Sequence, residues 1–260
     1  MELTTSLNLL VLLGLARALP TRAEHPKAMD YTERILTANS DSDEILMEGD
    51  LVIPRTRSAM VCRQGENNCL WRRNSDGQVV VPYILEDNRF SPSDRQKIKS
   101  ALLSFQDLTC IRFVPRGNEK DYISYESQRG CFSTLGRAGG RQTVSLNSAG
   151  CITNGIIQHE TLHALGFEHE HTRSDRDQYV SISWSNIDPR DTSNFNKQLA
   201  NNLDTPYDYS SVMHYGKMAF SINGQETITT IPDHNMPIGQ TVQMSDIDIL
   251  TINKLYNCSQ

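Results

Sequence analysis

The run HETLHALGFEHEHTRSDRD, residues 159–177, constrains the fold more than any other stretch. Four of the seven histidines in the chain lie within the first thirteen residues of this run. On a helix, His159 and His163 lie one turn apart on the same face, about 40° from each other around the axis. Two imidazoles at that spacing can bind one Zn2+ ion, each at about 2.0–2.1 Å. The run therefore predicts a helix that carries two metal ligands.

A third ligand, His169, requires the helix to end before it. On a continued straight helix, His169 would project about 240° around the axis from His163 and away from the metal. Gly166 lies between them, and glycine accepts the left-handed conformation that ends helices. The chain can then turn back and bring His169 to the same ion. Three neutral protein ligands leave one coordination position for water, which is typical of a catalytic zinc site.

The residue after the first histidine, Glu160, points about 100° away from His159 and suits a general base better than a ligand. Bound Zn2+ lowers the pKa of water from near 16 to about 7 and polarises a carbonyl group. Glu160 would take the proton of that water and pass it to the leaving amine, which predicts hydrolysis of an amide bond. The alternative is a solvated helix with incidental histidines. His171 is expected at the surface or behind the ligands.

The N-terminus predicts export. Residues 7–15 (LNLLVLLGL) form a short apolar run followed by ARALP, which is typical of a signal peptide over residues 1–18, cleaved after Ala18. Because Glu2 is present and no basic residue precedes the run, a buried N-terminal helix is the alternative. No run of 18 apolar residues follows, so we expect no membrane span. The net charge of −6 indicates no nucleic-acid partner.

A polar, acidic segment over residues 19–57 follows and ends in PRTR, residues 54–57. This composition suits an exposed pro-segment that another protease removes by cutting after Arg57. We therefore predict a boundary at the Arg57–Ser58 bond and a catalytic region over residues 58–260.

Hydrophobic spacing predicts a mixture of helices and strands. Residues 79–85 (VVVPYIL) are apolar and β-branched, which is typical of a strand, and Pro82 favours a sheet edge or a bulge. Ser91 and Asp94 match a capping box at the start of a helix. The other predicted elements are strands at 111–114 and 122–125 and helices at 91–108, 154–165 and 245–256.

Six cysteines in an exported chain predict disulfides. They are Cys62, Cys69, Cys110, Cys131, Cys151 and Cys258. Six cysteines allow 15 pairings, and their spacing alone does not choose among them.

Two motifs together resemble the astacin family of metzincin zinc endopeptidases. The family pattern H-E-x-x-H-x-x-G-F-x-H-E-x-x-R-x-D-R matches residues 159–176, and SVMHYG at 211–216 matches the family's Met-turn, S-x-M-H-Y. The resemblance implies a two-lobed α+β fold. A twisted sheet and the active-site helix form the upper lobe, and an irregular lower lobe ends in a C-terminal helix. An extended protein substrate would lie in the cleft and add a strand to the edge near residues 132–136.

The resemblance also implies roles for single residues. Met213 would form the hydrophobic floor under the histidines. Tyr215 would ligate zinc at rest and swing away to stabilise the oxyanion. Taken alone, both would be ordinary core residues. Asp50, in a MEGD segment that resembles the family's F-x-G-D with Met in place of Phe, would take the water position on zinc in a zymogen. Glu170 would meet the new ammonium group of Ser58, unless it is a plain surface charge.

The family's cysteine pairing implies bonds from Cys110 to Cys258 and from Cys131 to Cys151, which leaves Cys62 with Cys69. A six-cysteine set is similar to that of the fish hatching enzymes, the choriolysins. The resemblance implies a secreted monomeric endopeptidase with one Zn2+ ion that cleaves egg-envelope proteins. The alternatives are a digestive, immune or tissue-remodelling protease of the same branch and an inactive binding module. The presence of Glu160 and all three ligands disfavours the inactive module.

Overall fold

The computed structural model describes residues 30–52, 69–86, 88–240 and 242–258. The expected signal peptide, the Arg57–Ser58 bond and Cys62 lie outside these ranges. Within them, no helix is both long enough and apolar enough to cross a bilayer.

Helices and a mixed sheet make up the larger lobe. Among the described residues, the α-helices are α1 (Tyr31–Asn39), α2 (Pro92–Leu108), α3 (Asn154–Ala164) and α4 (Asp246–Leu255). The strands are β1 (Leu46–Met47), β2 (Leu51–Val52), β3 (Val79–Leu85), β4 (Ile111–Pro115), β5 (Tyr122–Glu126), β6 (Cys131–Ser133), β7 (Arg141–Leu146), β8 (Val180–Ile182) and β9 (Ile228–Thr230). The larger sheet has the order β1-β2-β6-β7-β5-β3-β4.

The predicted helix α2 shows how local pattern sets the core. Ser91 accepts a hydrogen bond from the Asp94 amide and Asp94 accepts one from the Ser91 amide, so the expected capping box is present. Ile98 and Phe105 lie on one face of the helix and are fully buried in the main core. There they pack with Val81 of β3 and Ile157 of α3 in one hydrophobic cluster. This core fixes α3, and with it the histidines, against the sheet.

Pro82 favours an edge or a bulge, and the edge alternative is wrong, because β3 lies between β4 and β5. Pro82 pairs with Val114 of β4, whereas pairing with β5 begins only at Tyr83. Successive residues of β3 point alternately to β4 and to β5, and Pro82 points to β5 one residue before the pairing of β3 with β5 begins. A proline is tolerated inside this sheet because no strand there requires its missing N–H.

Helix α1 and strands β1 and β2 belong to the segment that was expected to be polar and processed, and no structure was predicted for it. Asp30 caps α1, and Tyr31 and Ile35 are buried in the main core. Strand β2 pairs in parallel with β6, and the Ser133 amide donates to the Asp50 carbonyl at 3.0 Å. The sheet edge that was expected to receive substrate is therefore covered by the chain's own N-terminal segment.

Helix α1 reaches both lobes. At its start, the Tyr31 hydroxyl donates to the His214 carbonyl of the Met-turn at 2.8 Å. At its end, Asn39 donates to the Cys131 carbonyl at 2.7 Å and accepts from the Cys131 amide at 2.6 Å.

The smaller lobe contains the β8–β9 sheet and a second core around Phe195 and Ile228, whereas Ile252 of α4 packs in the main core. Cys110 is bonded to Cys258 and Cys131 to Cys151, with S–S distances of 2.05 and 2.08 Å. The first bond ties the C-terminal end of the chain to the start of β4. Cys69 is also disulfide-bonded.

Candidate metal centre and active site

The structure brings the three predicted histidines together. The Nε2 atoms of His159 and His163, one turn apart on α3, are 3.1 Å from each other. The helix ends just before Gly166, whose φ of 102° lies in the left-handed region. The chain then turns back, so that the His169 ring lies 4.7 Å from the His163 ring and 5.3 Å from the His159 ring. The predicted helix stop at Gly166 is confirmed.

Asp50 completes the cluster from the N-terminal segment. One of its carboxylate oxygens lies 3.0 Å from His159 Nε2 and 3.3 Å from His169 Nε2. The other lies 3.5 Å from His163 Nε2. Burial opposes ionisation of Asp50, but the neighbouring His169 and His163 hold its pKa well below the usual range. Three imidazole nitrogens and one carboxylate oxygen, all within 4.8 Å of one another, form a donor set that suits Zn2+.

Each ligand ring is oriented by a contact at its other nitrogen. The Nδ1 atoms of His159 and His163 lie 2.7 Å from the carbonyl oxygens of Val212 and Phe167. Such partners fix the tautomer and leave Nε2 for the metal. The Nδ1 of His169 instead meets the carboxylate of Glu48 at 2.8 Å. Although burial opposes it, the charges of Asp50 and Glu48 raise the pKa of His169 to about 10, whereas burial lowers the pKa of His159 to about 4.

Glu160 lies fully buried beside this cluster, and neither carboxylate oxygen has a hydrogen-bond partner among the described residues. Burial raises its pKa well above the usual value, and the charge of Asp50 raises it further. A buried carboxyl group without partners is costly unless a water molecule or a cation satisfies it. The orphaned Glu160 and the donor set therefore both fit a site built for zinc and a reacting water.

The Met-turn contacts the ligands through Val212 and Tyr215. Met213 is buried in the main core, and the Val212 carbonyl supports His159. The Tyr215 ring lies 4.7 Å from the His169 ring, and its hydroxyl donates to the Glu48 carbonyl. Tyr215 is thus held by the N-terminal segment.

His171 and Glu170 are both less exposed than expected. The surface alternative for His171 is wrong, because its ring stacks on Tyr215 at 3.8 Å and its Nε2 lies 3.0 Å from the Asn194 carbonyl. Glu170 accepts from the Asp208 amide at 2.7 Å and from Arg173 at 3.2 Å. Burial raises the pKa of Glu170 to about 8. A plain surface charge does not describe Glu170, although its expected partner Ser58 lies outside the described residues.

Comparison with known proteins identifies the chain's family. The sequence profile of Astacin, a peptidase family, matches residues 67–257. The chain belongs to the astacin family. Astacins are zinc metallopeptidases, so this chain is a zinc metalloendopeptidase whose polypeptide substrate binds at the active-site cleft. The expectations of a zinc cofactor and of a two-lobed α+β metzincin fold are confirmed.

Similar astacins cover almost the whole chain. High choriolytic enzyme 1 of Oryzias latipes is 51% identical, with 98% of each chain covered. Low choriolytic enzyme of the same fish is 52% identical over 88% of this chain and 84% of its own. The solved structure of high choriolytic enzyme 1, a hatching enzyme zinc-protease, superposes with a TM-score of 0.73. That match has 54% identity and covers 78% of this chain and all of the other.

The Met-turn of this astacin is tied to helix α4 by Asp248, a contact that sequence reasoning missed. One carboxylate oxygen of Asp248 accepts from the Ser211 hydroxyl at 2.6 Å. The other accepts from the Val212 amide at 3.1 Å and from the Ser245 amide at 2.9 Å. In the sequence, Asp248 stands out only because it lies three residues after Ser245, as in a capping box. That pattern accounts for the contact with the Ser245 amide and not for the contacts with Ser211 and Val212.

Replacing Asp248 by Ala should lower the free energy of unfolding of the full chain by about 3 kcal/mol, because three buried donors lose their acceptor. Urea denaturation followed by fluorescence measures the loss. Asp246→Ala is the control, since Asp246 is exposed in the first turn of the same helix and should cost less than about 1 kcal/mol. Equal losses in the two variants would show that Asp248 does not secure the Met-turn.

Proposed function

We propose that this astacin is made as a secreted zymogen with a signal peptide over residues 1–18, a pro-segment over 19–57 and a catalytic domain over 58–260. Another protease cuts after Arg57, and the monomeric enzyme then hydrolyses egg-envelope proteins. The similarity to choriolytic enzymes over nearly all of both chains supports the substrate class. Disulfides persist in oxidising compartments, and this supports export. The observation that carries the hydrolytic function is the orphaned Glu160 beside the three histidines.

In the proposed mechanism, His159, His163 and His169 hold the metal. Bound zinc would polarise the substrate carbonyl group and lower the pKa of a water molecule. The carboxylate of Glu160 accepts the proton of the attacking water and delivers it to the leaving nitrogen. Tyr215, once released from Glu48, donates its hydroxyl hydrogen to the oxyanion of the substrate.

The precursor is inactive in this proposal because its pro-segment occupies three positions that the reaction needs. Asp50 lies among the three ligand nitrogens, where its carboxylate would take a coordination position that the reaction needs. The Glu48 carbonyl holds the Tyr215 hydroxyl. Strand β2 covers the edge strand β6. We infer that a substrate cannot enter until all three contacts are removed.

Activation would then create a new partner for Glu170. Cleavage after Arg57 produces the ammonium group of Ser58, and the half-buried carboxyl of Glu170 is a suitable acceptor. The amide of Asp208 and the guanidinium of Arg173 already orient that carboxyl. An ammonium group at this position would keep Glu170 ionised despite its burial.

The proposal is tested on the secreted precursor after brief treatment with trypsin, which cleaves after arginine. Casein and isolated egg envelope are incubated separately with the product, with and without 1,10-phenanthroline. We expect cleavage of both substrates and its loss with the chelator, restored by added Zn2+. Cleavage of casein with intact envelope would refute the hatching role and keep the peptidase. Failure on both substrates by folded, zinc-loaded enzyme would refute the proposed hydrolysis.

A further inference from the structure

Every polar group of Glu48 in the pro-segment is bound by the catalytic region. Its amide donates to Asn194 Oδ1 at 3.0 Å, and its carbonyl accepts from the Tyr215 hydroxyl. One carboxylate oxygen accepts from Gln198 Nε2 at 2.6 Å, and the other meets His169 Nδ1 at 2.8 Å. The residue is fully buried. Because all of its polar groups have partners in the catalytic region, Glu48 has a more specific role than linking its neighbours in the pro-segment.

The backbone turn explains how Glu48 and Asp50 reach the same histidine. Glu48 and Gly49 both adopt left-handed conformations, with φ of 51° and 80°. A side chain at Gly49 would be strained at this φ, and its Cβ atom would lie 2.5 Å from Leu36 Cδ2 unless the leucine side chain moved. As a result, Glu48 contacts Nδ1 of His169 while Asp50 contacts its Nε2. One tight turn therefore holds both nitrogens of a single ligand ring.

His169 differs in this respect from the other two ligands. His159 and His163 are oriented by the carbonyl groups of Val212 and Phe167, which remain in the enzyme after activation. His169 is oriented by a carboxylate of the pro-segment, which leaves. A carboxylate behind a ligand histidine raises the basicity of the ring and its affinity for metal, and its loss typically costs about 10–100-fold in affinity.

We propose that Glu48 is a positioning residue for zinc binding, through which the precursor holds the metal more tightly than the activated enzyme does. The pro-segment then assists metal loading as well as blocking the cleft. This inference rests on the proposed zymogen, and it assigns to Glu48 an effect on His169 that is separate from the contact made by Asp50.

The test measures zinc release from the intact precursor to excess 4-(2-pyridylazo)resorcinol, followed by absorbance. We expect Glu48→Gln to release zinc about 10–100-fold faster than the unmodified precursor, because the amide keeps the shape and removes the charge. Asp41→Asn is the matched control, since Asp41 is an exposed carboxylate of the same segment, and it should leave the rate unchanged. An unchanged rate in folded Glu48→Gln would overturn the proposal.

A second pair of variants separates positioning from simple docking. If Glu48 acts through His169, Glu48→Gln should still accelerate release when Asp50→Ala is already present. If Glu48 only seats Asp50 over the metal, Glu48→Gln will add nothing in that background, and the proposal fails. If Glu48→Gln does not fold, Gln198→Ala takes its place, because it removes the hydrogen bond to one carboxylate oxygen of Glu48. We expect this variant to accelerate zinc release less than Glu48→Gln would. An unchanged release rate in Gln198→Ala would also count against the proposal. The readout uses no substrate, so it is independent of whether the enzyme cleaves egg envelope.

Discussion

Replacing Glu160 by Gln should lower the rate at which the activated enzyme cleaves casein by about 10²–10⁴-fold, the usual contribution of a general base. The amide has nearly the same size as the carboxylate but cannot accept the proton of the attacking water. Because Glu160 contacts no described residue through hydrogen bonds, the substitution should leave the fold and the zinc content intact. Initial cleavage rates and the zinc content per chain together test both expectations.

The matched control for this variant is Glu119→Gln, which changes the same chemical group on an exposed loop far from the histidines in sequence. Its activity should equal that of the unmodified enzyme. A Glu160→Gln enzyme that retained half of its activity would show that another group takes the proton, and the assignment of Glu160 would be wrong.

Replacing Asp50 by Ala should weaken latency. The carboxylate is buried among three histidine nitrogens, and removing one partner from a buried ionic contact typically costs about 3–5 kcal/mol. That cost corresponds to a shift of about 10²–10⁴-fold toward the undocked pro-segment. We therefore expect zinc-dependent hydrolysis of a short peptide by the uncleaved variant, at least about tenfold above the unmodified precursor.

This measurement is made with Arg57→Ala in every chain, so that cleavage at the activation bond cannot explain a gain in activity. Asp41→Asn in the same background should stay latent. If Asp50→Ala is as inactive as that control, the remaining contacts of Glu48 and β2 suffice for latency, and the proposed role of Asp50 is refuted.

The parts of the site that the sequence predicted are those whose cause is local. The spacing of His159 and His163 and the helix stop at Gly166 depend only on helix geometry and on the conformational freedom of glycine. The cap at Ser91 depends on Asp94, three residues away. In each case the residues that decide the structure lie within about one or two turns of each other.

The features that the sequence did not predict depend on residues that are far apart in the chain. Whether Pro82 lies at an edge depends on where β5 begins, about forty residues later in the chain. The burial of His171 depends on Tyr215, and the role of Glu48 depends on His169 and Gln198. Helix α1 was missed because its sequence is polar apart from a few positions, and those positions are buried by contacts with distant residues. Periodicity in one segment carries no information about such partners.

Helix α1 spans about 14 Å, at 1.5 Å for each of its nine residues, and it is hydrogen-bonded to the Met-turn at one end and to strand β6 at the other. It therefore acts as a brace across the two halves of the molecule. If the proposed cleavage releases this brace, activation changes the mechanics of the protein as well as its chemistry. The two lobes then lose the connection that the hydrogen bonds of Tyr31 and Asn39 provide, and fewer contacts oppose a change in their relative position.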